Sequence, residues 1–307
     1  MENGKFNFSI IIPTYNRSGR LSSCLEAISR LDYPADLFEV IIVDDGGETP
    51  LDGLLAPFSG RVRVTLVRQD HAGVAIGRNT GAERAKGDFL VFTDDDCQPA
   101  PDWLKRLESS CKEENDCIIG GRTVNVLQEN LFSTASQTLV SYLFSYYNVT
   151  PRQARFLTGS NLTMPSRHFH ALDGFDTSFY LMGAEDREFC DRWQYSGFRM
   201  VYAPEVIVYH SHYLTLRSYV RQHFNYGRGA FHFQRLYYER IRKRVKVEPL
   251  SFYLGMVRYP FLQGHFLKAF LISILLCISQ AANLTGFFSE RSKRKNRVDT
   301  GKNELTS

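Results

Sequence analysis

Asp88-Phe-Leu-Val-Phe-Thr-Asp-Asp-Asp96 joins a short apolar run to three consecutive carboxylates. A brief apolar run of this kind reads as a strand buried on both faces. The design recurs upstream. Ser9-Ile-Ile-Ile-Pro13 leads into Thr14-Tyr15-Asn16-Arg17, and Glu39-Val-Ile-Ile-Val43 leads into Asp44-Asp45-Gly46-Gly47. Residues 61–67 alternate like a further strand. Helical spacing fills the gaps over 19–31 (Leu21, Cys24, Leu25, Ile28, Leu31), 74–86 and 102–114. Strands separated by helices imply βαβ units and a mainly parallel sheet. The three polar clusters then fall at carboxyl ends of parallel strands, where open α/β sheets bind their ligands.

Clustered carboxylates repel one another, and a divalent cation relieves that cost. Mg2+ or Mn2+ binds through one or two carboxylates and completes its shell with water and substrate phosphates. Side chains at i and i+2, such as Asp94 and Asp96, face the same way while the chain is extended. The chain lacks both Gly-x-Gly-x-x-Gly after its first strand and the Gly-x-x-x-x-Gly-Lys-Ser/Thr loop. A metal–diphosphate complex fits that gap.

The second half is less regular. Residues 131–147 read as an aromatic helix, 184–196 as another ending at Gly197, and 214–243 as mainly helical. Arg199–Tyr202 and Val206–Tyr209 suggest two short strands. From Phe266 to Phe288 the chain is apolar apart from Lys268, and the basic run 291–297 follows. That length and flank suit a membrane-embedded helix, a re-entrant hairpin or helices lying in the interface. Gln280, Asn283 and Thr285 weaken a spanning reading, and Pro260 breaks the aromatic stretch 250–264. The 307 residues carry a net charge of +4, with the excess in 240–246 and 291–297, which gives no reason to expect nucleic-acid binding. The six cysteines form no C-x-x-C pair, and the start of the chain has no apolar signal core. Together these point to a catalytic domain in the cytosol, on the cytoplasmic face of the membrane.

In order along the chain, Ser9-Ile-Ile-Ile-Pro-Thr-Tyr-Asn-Arg17, Val40-Ile-Ile-Val-Asp-Asp-Gly-Gly47, the Arg78-Asn-Thr-Gly81 helix and Phe92-Thr-Asp-Asp-Asp96 resemble the motifs of family 2 glycosyltransferases. Gly159-Ser-Asn161, Gly174-Phe-Asp176 and Gly183-Ala-Glu-Asp-Arg187 are similar to that family's acceptor-side motifs. The resemblance covers roughly residues 8–230. It implies a GT-A fold and an inverting transferase that moves a sugar from a nucleotide diphosphate to an acceptor hydroxyl. It places Pro13, Thr14 and Tyr15 against the base and Asp44 on the base N–H edge, with Asp45 capping the following turn. Arg78 falls near the diphosphate or orients Asp94. Asp94 holds the ribose, with Asp95 a lesser candidate, while Asp96 and His210 hold the metal. Asp186 is the general base, with Glu185 the alternative. His210 and His212 form a His-x-His that can face one side. The Gln-x-x-Arg-Trp pattern of processive synthases is absent, since Phe189-Cys190-Asp191-Arg192-Trp193 contains no glutamine.

The expected architecture is thus α/β, a Rossmann-like mixed sheet flanked by helices, with a helical, membrane-associated C-terminal tail. The expected division is 1–230 for the catalytic domain (1–120 nucleotide-sugar half, 121–230 acceptor half) and 231–307 for the helical region. The expected partners are a UDP-sugar, a saccharide or lipid-linked saccharide acceptor, and the membrane, in cell-surface polysaccharide or glycolipid synthesis. Two rivals stand against this. A sugar-nucleotide nucleotidyltransferase needs a glycine-rich basic loop where Pro13-Thr-Tyr-Asn16 stands. A tethered, non-catalytic nucleotide-sugar binder has no need of Asp186.

Overall fold

The computed structural model describes residues 8–150, 153–180, 183–243, 247–262 and 266–304, with side chains described to residue 294. The start of the chain (1–7), residues 244–246 of the first basic run and the side chains of 295–297 in the second lie outside the described residues.

The strands are β1 (Phe8–Thr14), β2 (Phe38–Asp45), β3 (Val64–Gln69), β4 (Phe89–Thr93), β5 (Cys97–Pro99), β6 (Ile118–Asn125), β7 (Asn161–Pro165) and β8 (Met200–His210). The helices are α1 (Ser18–Ile28), α2 (Asp52–Leu55), α3 (Val74–Arg84), α4 (Trp103–Glu113), α5 (Leu131–Tyr147), α6 (Ser166–Ala171), α7 (Glu185–Tyr195), α8 (Leu216–Ile241), α9 (Leu250–Arg258) and α10 (Phe266–Glu304). The strands form one sheet in the order β3-β2-β1-β4-β7-β6-β8-β5. β1, β2, β3 and β4 run parallel, as does β6 with β8, whereas β7 runs antiparallel to both its neighbours. This is the mixed, mainly parallel sheet expected from the alternation of elements.

Compact packing groups the chain into two units. The first comprises residues 1–127, 143–180 and 185–212; the second comprises 128–142, 181–184 and 213–307. In the first, period-two alternation sends Ile10 and Ile12 of β1, Val40 and Ile42 of β2 and Val91 of β4 into one core with Leu21, Leu25 and Ile28 of α1 and Trp103 and Leu107 of α4. All are buried. α3 covers the opposite face. It approaches so closely that a Cβ on Gly81 would stand 2.4 Å from Ile11 Cγ2.

Three features depart from the sequence reading. The alternation at 61–67 is shifted, because Arg61 and Val62 close a turn onto Phe58 before β3 begins. Arg199–Tyr202 and Val206–Tyr209 belong to one strand, β8. Its pairing with β6 jumps from Gly121↔Ala203 to Arg122↔Ile207, which leaves residues 204–206 as a bulge around Pro204. Asn161 Nδ2 donates to the Val206 carbonyl at 3.0 Å and to the Arg122 carbonyl at 3.3 Å, so the carbonyls beside the bulge keep partners. Gly121 makes room for this amide, since a Cβ there would lie 2.2 Å from Asn161 Nδ2. Finally, β5, β6 and β7 had no reading from pattern alone.

The second unit is helical. α8 opens with a capping box between Thr215 and Ser218. It meets α10 backbone to backbone: a Cβ on Gly227 would stand 1.9 Å from the Asn283 carbonyl oxygen, and one on Gly286 1.9 Å from that of Phe224. Tyr219 Oη donates to the Leu275 carbonyl at 3.0 Å, and Tyr142 Oη to the Phe252 carbonyl at 2.6 Å. The 18-residue window at the head of α10 has a mean hydropathy of 1.7 and is 39% buried, so it is long and apolar enough to cross a membrane by length and composition.

Candidate active site

Parallel pairing brings the polar clusters level at one end of the sheet. Thr14 pairs with Asp44 across β1 and β2, and β4 runs on the other side of β1. Thr14 Oγ1 donates to Asp95 Oδ2 at 2.7 Å. Arg17, just before α1, reaches Asp95 Oδ1 at 3.3 Å, and Arg20 of α1 reaches Asp96 Oδ2 at 3.0 Å. Asp95 is therefore an internal tie rather than a free ligand group. Burial pushes its carboxyl up to about 6, against the pull of Arg17 and Thr14.

Of the two carboxylates that end β2, it is Asp44 and not Asp45 that caps the following turn. Asp44 Oδ1 accepts from Gly47 N at 2.9 Å and so closes the turn assigned to Asp45. Asp45 instead holds the loop leading into α3. It accepts from Ala72 N and Gly73 N, both at 2.9 Å, from Gln69 Nε2 at 2.6 Å, and it contacts His71 Nδ1 at 2.9 Å. A carboxylate at a helix N-terminus is favoured by the helix dipole. The turn needs Gly46, whose φ of 80° is left-handed and whose Cβ would meet His71 N at 2.7 Å. Asp44 Oδ2 has no protein partner among the described residues, which leaves an acceptor at the strand end. Tyr15 is 42% exposed and stacks on His71, with ring centroids 4.1 Å apart. Pro13 lies beneath, 3.3 Å from where a Gly77 Cβ would stand.

Arg78 is buried in α3 rather than exposed on an amphipathic face. One terminal nitrogen donates to Asp94 Oδ1 at 2.9 Å and the other to Glu185 Oε1 at 2.7 Å. Its guanidinium also lies 5.6 Å from the Phe175 ring centre. Gly159 is required beside it, since a Cβ there would stand 2.7 Å from Arg78 Nη1. Asn79, the next residue, clamps Phe175 in both directions: Nδ2 donates to its carbonyl at 2.8 Å, and Oδ1 accepts from its N–H at 2.9 Å.

Glu185 and Asp186 stand in the first turn of α7 but in different surroundings. Glu185 is buried against Arg78; burial and the neighbouring Asp186 push its carboxyl upward against the pull of Arg78. Asp186 is half-buried. Its Oδ2 accepts from Gly159 N at 2.9 Å and its Oδ1 from Arg187 N at 2.7 Å. Of the two, Asp186 is the carboxylate a ligand can reach.

Asp96, His210 and His212 converge, with donor atoms all within 4.8 Å of one another. His210 Nε2 lies 3.1 Å from Asp96 Oδ1, and His212 Nδ1 lies 3.3 Å from Asp96 Oδ2. β5 hydrogen-bonds to β8 in the register Cys97↔His210, which sets the carboxylate beside the imidazoles. Burial opposes ionisation of Asp96, but hydrogen bonds and charge from the two histidines outweigh it and hold the carboxyl well below its usual range. A carboxylate with two imidazoles is a donor set that fits a divalent transition metal. The alternative grouping of Asp94, Asp96 and Cys97 fits less well, because complete burial keeps the Cys97 thiol protonated. His212 is the member that the choice of His210 alone missed; the His-x-His spacing carried the signal.

The family model described as glycosyl transferase family 2 matches residues 9–172, more than half of the chain. The chain belongs to glycosyltransferase family 2. A second family model, described as the N-terminal domain of galactosyltransferase, matches residues 141–216. Among curated relatives, the glycosyltransferase AglE of Haloferax volcanii is 33% identical over 115 residues, covering 37% of this chain and 38% of that protein. The pre-mycofactocin glycosyltransferase of Mycobacterium tuberculosis is 25% identical over 228 residues, covering 72% of this chain and 46% of that protein. The chain thus spans less than half the length of these two relatives. A glucosyl-dolichyl phosphate glucuronosyltransferase of Haloferax volcanii is 26% identical over 215 residues, covering 66% of this chain and 68% of that protein. Among solved structures, the mannosyltransferase PcManGT of Pyrobaculum calidifontis, in complex with GDP-Man and Mn2+, superposes with a TM-score of 0.63 at 18% identity. The match covers 92% of this chain and 88% of that one. S. aureus TarS 1–349 gives 0.54 at 16% identity, covering 94% and 92%. These structures share the GT-A fold with this family 2 chain.

Proposed function

We propose that this family 2 chain is a metal-dependent, inverting glycosyltransferase that moves one sugar from a nucleotide diphosphate to an acceptor hydroxyl. The observation that carries the reading is the convergence of Asp96, His210 and His212 at the same sheet end as the Asp94–Arg78–Glu185 bridge and Asp186.

The base rests on Pro13, Thr14 and Tyr15, with the free Asp44 oxygen accepting from its imide N–H; an acceptor-only group suits uracil N3. Structural neighbours hold GDP-Man in one case and UDP-GlcNAc in another, so the fold takes either base, and the uridine reading rests on Asp44. Asp94 holds the ribose, and Arg78 fixes its rotamer. Asp96, His210 and His212 would hold a divalent metal, Mn2+ ahead of Mg2+ because imidazole is a poor Mg2+ ligand. When bound, that metal supplies Lewis-acid stabilisation of the leaving diphosphate. Asp186 takes the acceptor hydroxyl proton, and the freed oxygen attacks the anomeric carbon. The anomeric C–O bond breaks, and its electron pair leaves with the nucleoside diphosphate. A single displacement inverts the anomeric centre.

The relative that acts on glucosyl-dolichyl phosphate supports a lipid-linked saccharide acceptor, and the apolar head of α10 supports placement at the membrane's cytoplasmic face. Thermal unfolding with UDP or GDP, with and without manganese, tests the reading. Manganese-dependent stabilisation by one nucleotide, lost in Asp96→Ala, is expected. Equal stabilisation in wild type and variant, or none in either, contradicts it.

A further inference from the structure

Exposed apolar side chains line one face of α10 in the second unit. Leu267, Phe270, Leu271, Ile274, Leu284 and Phe288 of α10 are all exposed, Leu267 at 69% and Leu284 at 57%. At 3.6 residues per turn they fall within an arc of about 140°. Ala269, Ile272, Leu275, Leu276 and Ala282 occupy the opposite arc and are buried. Lone exposed hydrophobics need no explanation, but a continuous stripe along a helix does. The preceding elements extend it along the chain, with Leu250 and Leu254 of α9 and Leu262 in the following turn all exposed.

Charge identifies the occupant. From Pro249 to Ser289 the sequence contains no Asp or Glu. Exposed Arg258 and Lys268 lie at the near end, and exposed Arg291, Lys293 and Arg294 at the far end. An apolar face flanked by cations complements an anionic lipid surface. A second copy would bring like charges together.

We infer that α10 docks on a membrane side-on, as an amphipathic helix lying in the interface, and does not cross the bilayer. Its packing decides between these. α10 is joined to α8 at Gly227 and Gly286, where backbones touch, and by Arg228 Nε to Glu290 Oε2 at 2.8 Å. α8 carries Arg217, Arg221, Arg228, Arg235 and Arg240. A spanning α10 would either abandon that contact or draw these guanidinium groups into hydrocarbon, and both are costly. Docked side-on, the stripe enters the lipid while α8 stays outside it. This inference rests on the membrane placement proposed above and not on the transferase chemistry.

Cys277 lies within the stripe and is exposed, while the other five cysteines are buried, so the full-length protein can be labelled there without mutation. The test uses an environment-sensitive fluorophore on Cys277 and vesicles of phosphatidylcholine with or without phosphatidylglycerol. The expected result is a blue shift favoured by the anionic lipid, with stronger quenching by nitroxides near the headgroups than by those at the bilayer centre. Ile274→Glu with Leu284→Glu should lower vesicle partition by at least about tenfold while far-UV circular dichroism stays unchanged. Binding with strongest quenching at the bilayer centre overturns the side-on geometry but leaves the membrane placement intact. No blue shift and no co-sedimentation with either vesicle overturn both.

Discussion

At the residue scale, Arg78 links the two halves of the site. It holds Asp94 at one end and Glu185 at the other, and a Cβ on Gly159 would stand 2.7 Å from its Nη1. Gly159→Ala should lower stability by about 1–3 kcal/mol, the cost of overpacking a tight site, measured as a shift in the urea midpoint. An unchanged midpoint would show that the Arg78 guanidinium is free to move. Asp186→Asn should reduce kcat by about 10²–10⁴-fold, the range for losing a general base, with nucleotide affinity held. Loss of nucleotide affinity instead would make Asp186 a binding group. Strand-end logic brought Asp44, Asp94 and Asp96 into view from the chain alone, whereas Asp186, in the first turn of α7, came into view only through the family resemblance. The roles of His71, Gln69 and Arg20 were not legible, because each depends on a partner far away in sequence. That Asp44 caps the turn while Asp45 holds the loop before α3 was hidden for the same reason: adjacent carboxylates look alike until the 71–73 loop is placed.

At the element scale, the strands and helices that announce themselves are those with one clear period. β1, β2, β4 and α5 stand where the pattern puts them, α5 to the residue. β6 was missed because Gly120 and Gly121 break its apolar run, and they are there for contacts: a Gly120 Cβ would strike Leu157 Cδ2 at 2.2 Å. β8 looked like two strands because Pro204 and its bulge interrupt the alternation. Helix packing gives a prediction in which two effects oppose. Replacing glycine by alanine inside a helix gains up to about 1 kcal/mol of propensity. Gly19 in α1 has nothing within 4 Å, so Gly19→Ala should stabilise; Gly227→Ala meets the Asn283 carbonyl at 1.9 Å and should destabilise. Thermal midpoints that rise in both variants would contradict the close α8–α10 crossing. His223 of α8 adds a pH dependence. Burial lowers its pKa to about 4, below its ordinary value of about 6.5. Between those values the unfolded chain binds a proton that the folded chain refuses. Stability is therefore held above about pH 6.5 and lost towards pH 4, approaching about 1.4 kcal/mol per pH unit from this group. Urea titrations of wild type and His223→Leu between about pH 7 and pH 5 should diverge on the acid side; parallel curves would exclude the histidine as the cause.

At the scale of the whole molecule, a Rossmann-like sheet supplies the carboxylates and a helical unit supplies the apolar stripe, each built from its own pattern in the chain. Family membership and the GT-A fold follow from motif order, because short weak motifs in a fixed sequence constrain one another. The sugar and acceptor do not follow, since they depend on surfaces built by the irregular second half, where periodicity says little. The central claim is that the acidic strand ends turn over a sugar nucleotide. The most direct test incubates the purified protein with manganese and a panel of UDP-, GDP- and dTDP-sugars and measures nucleoside diphosphate release. The account predicts release from one donor, abolished by chelation and in Asp96→Ala. Pyrophosphate release from a nucleoside triphosphate and a sugar phosphate, with none of these donors consumed, would contradict it.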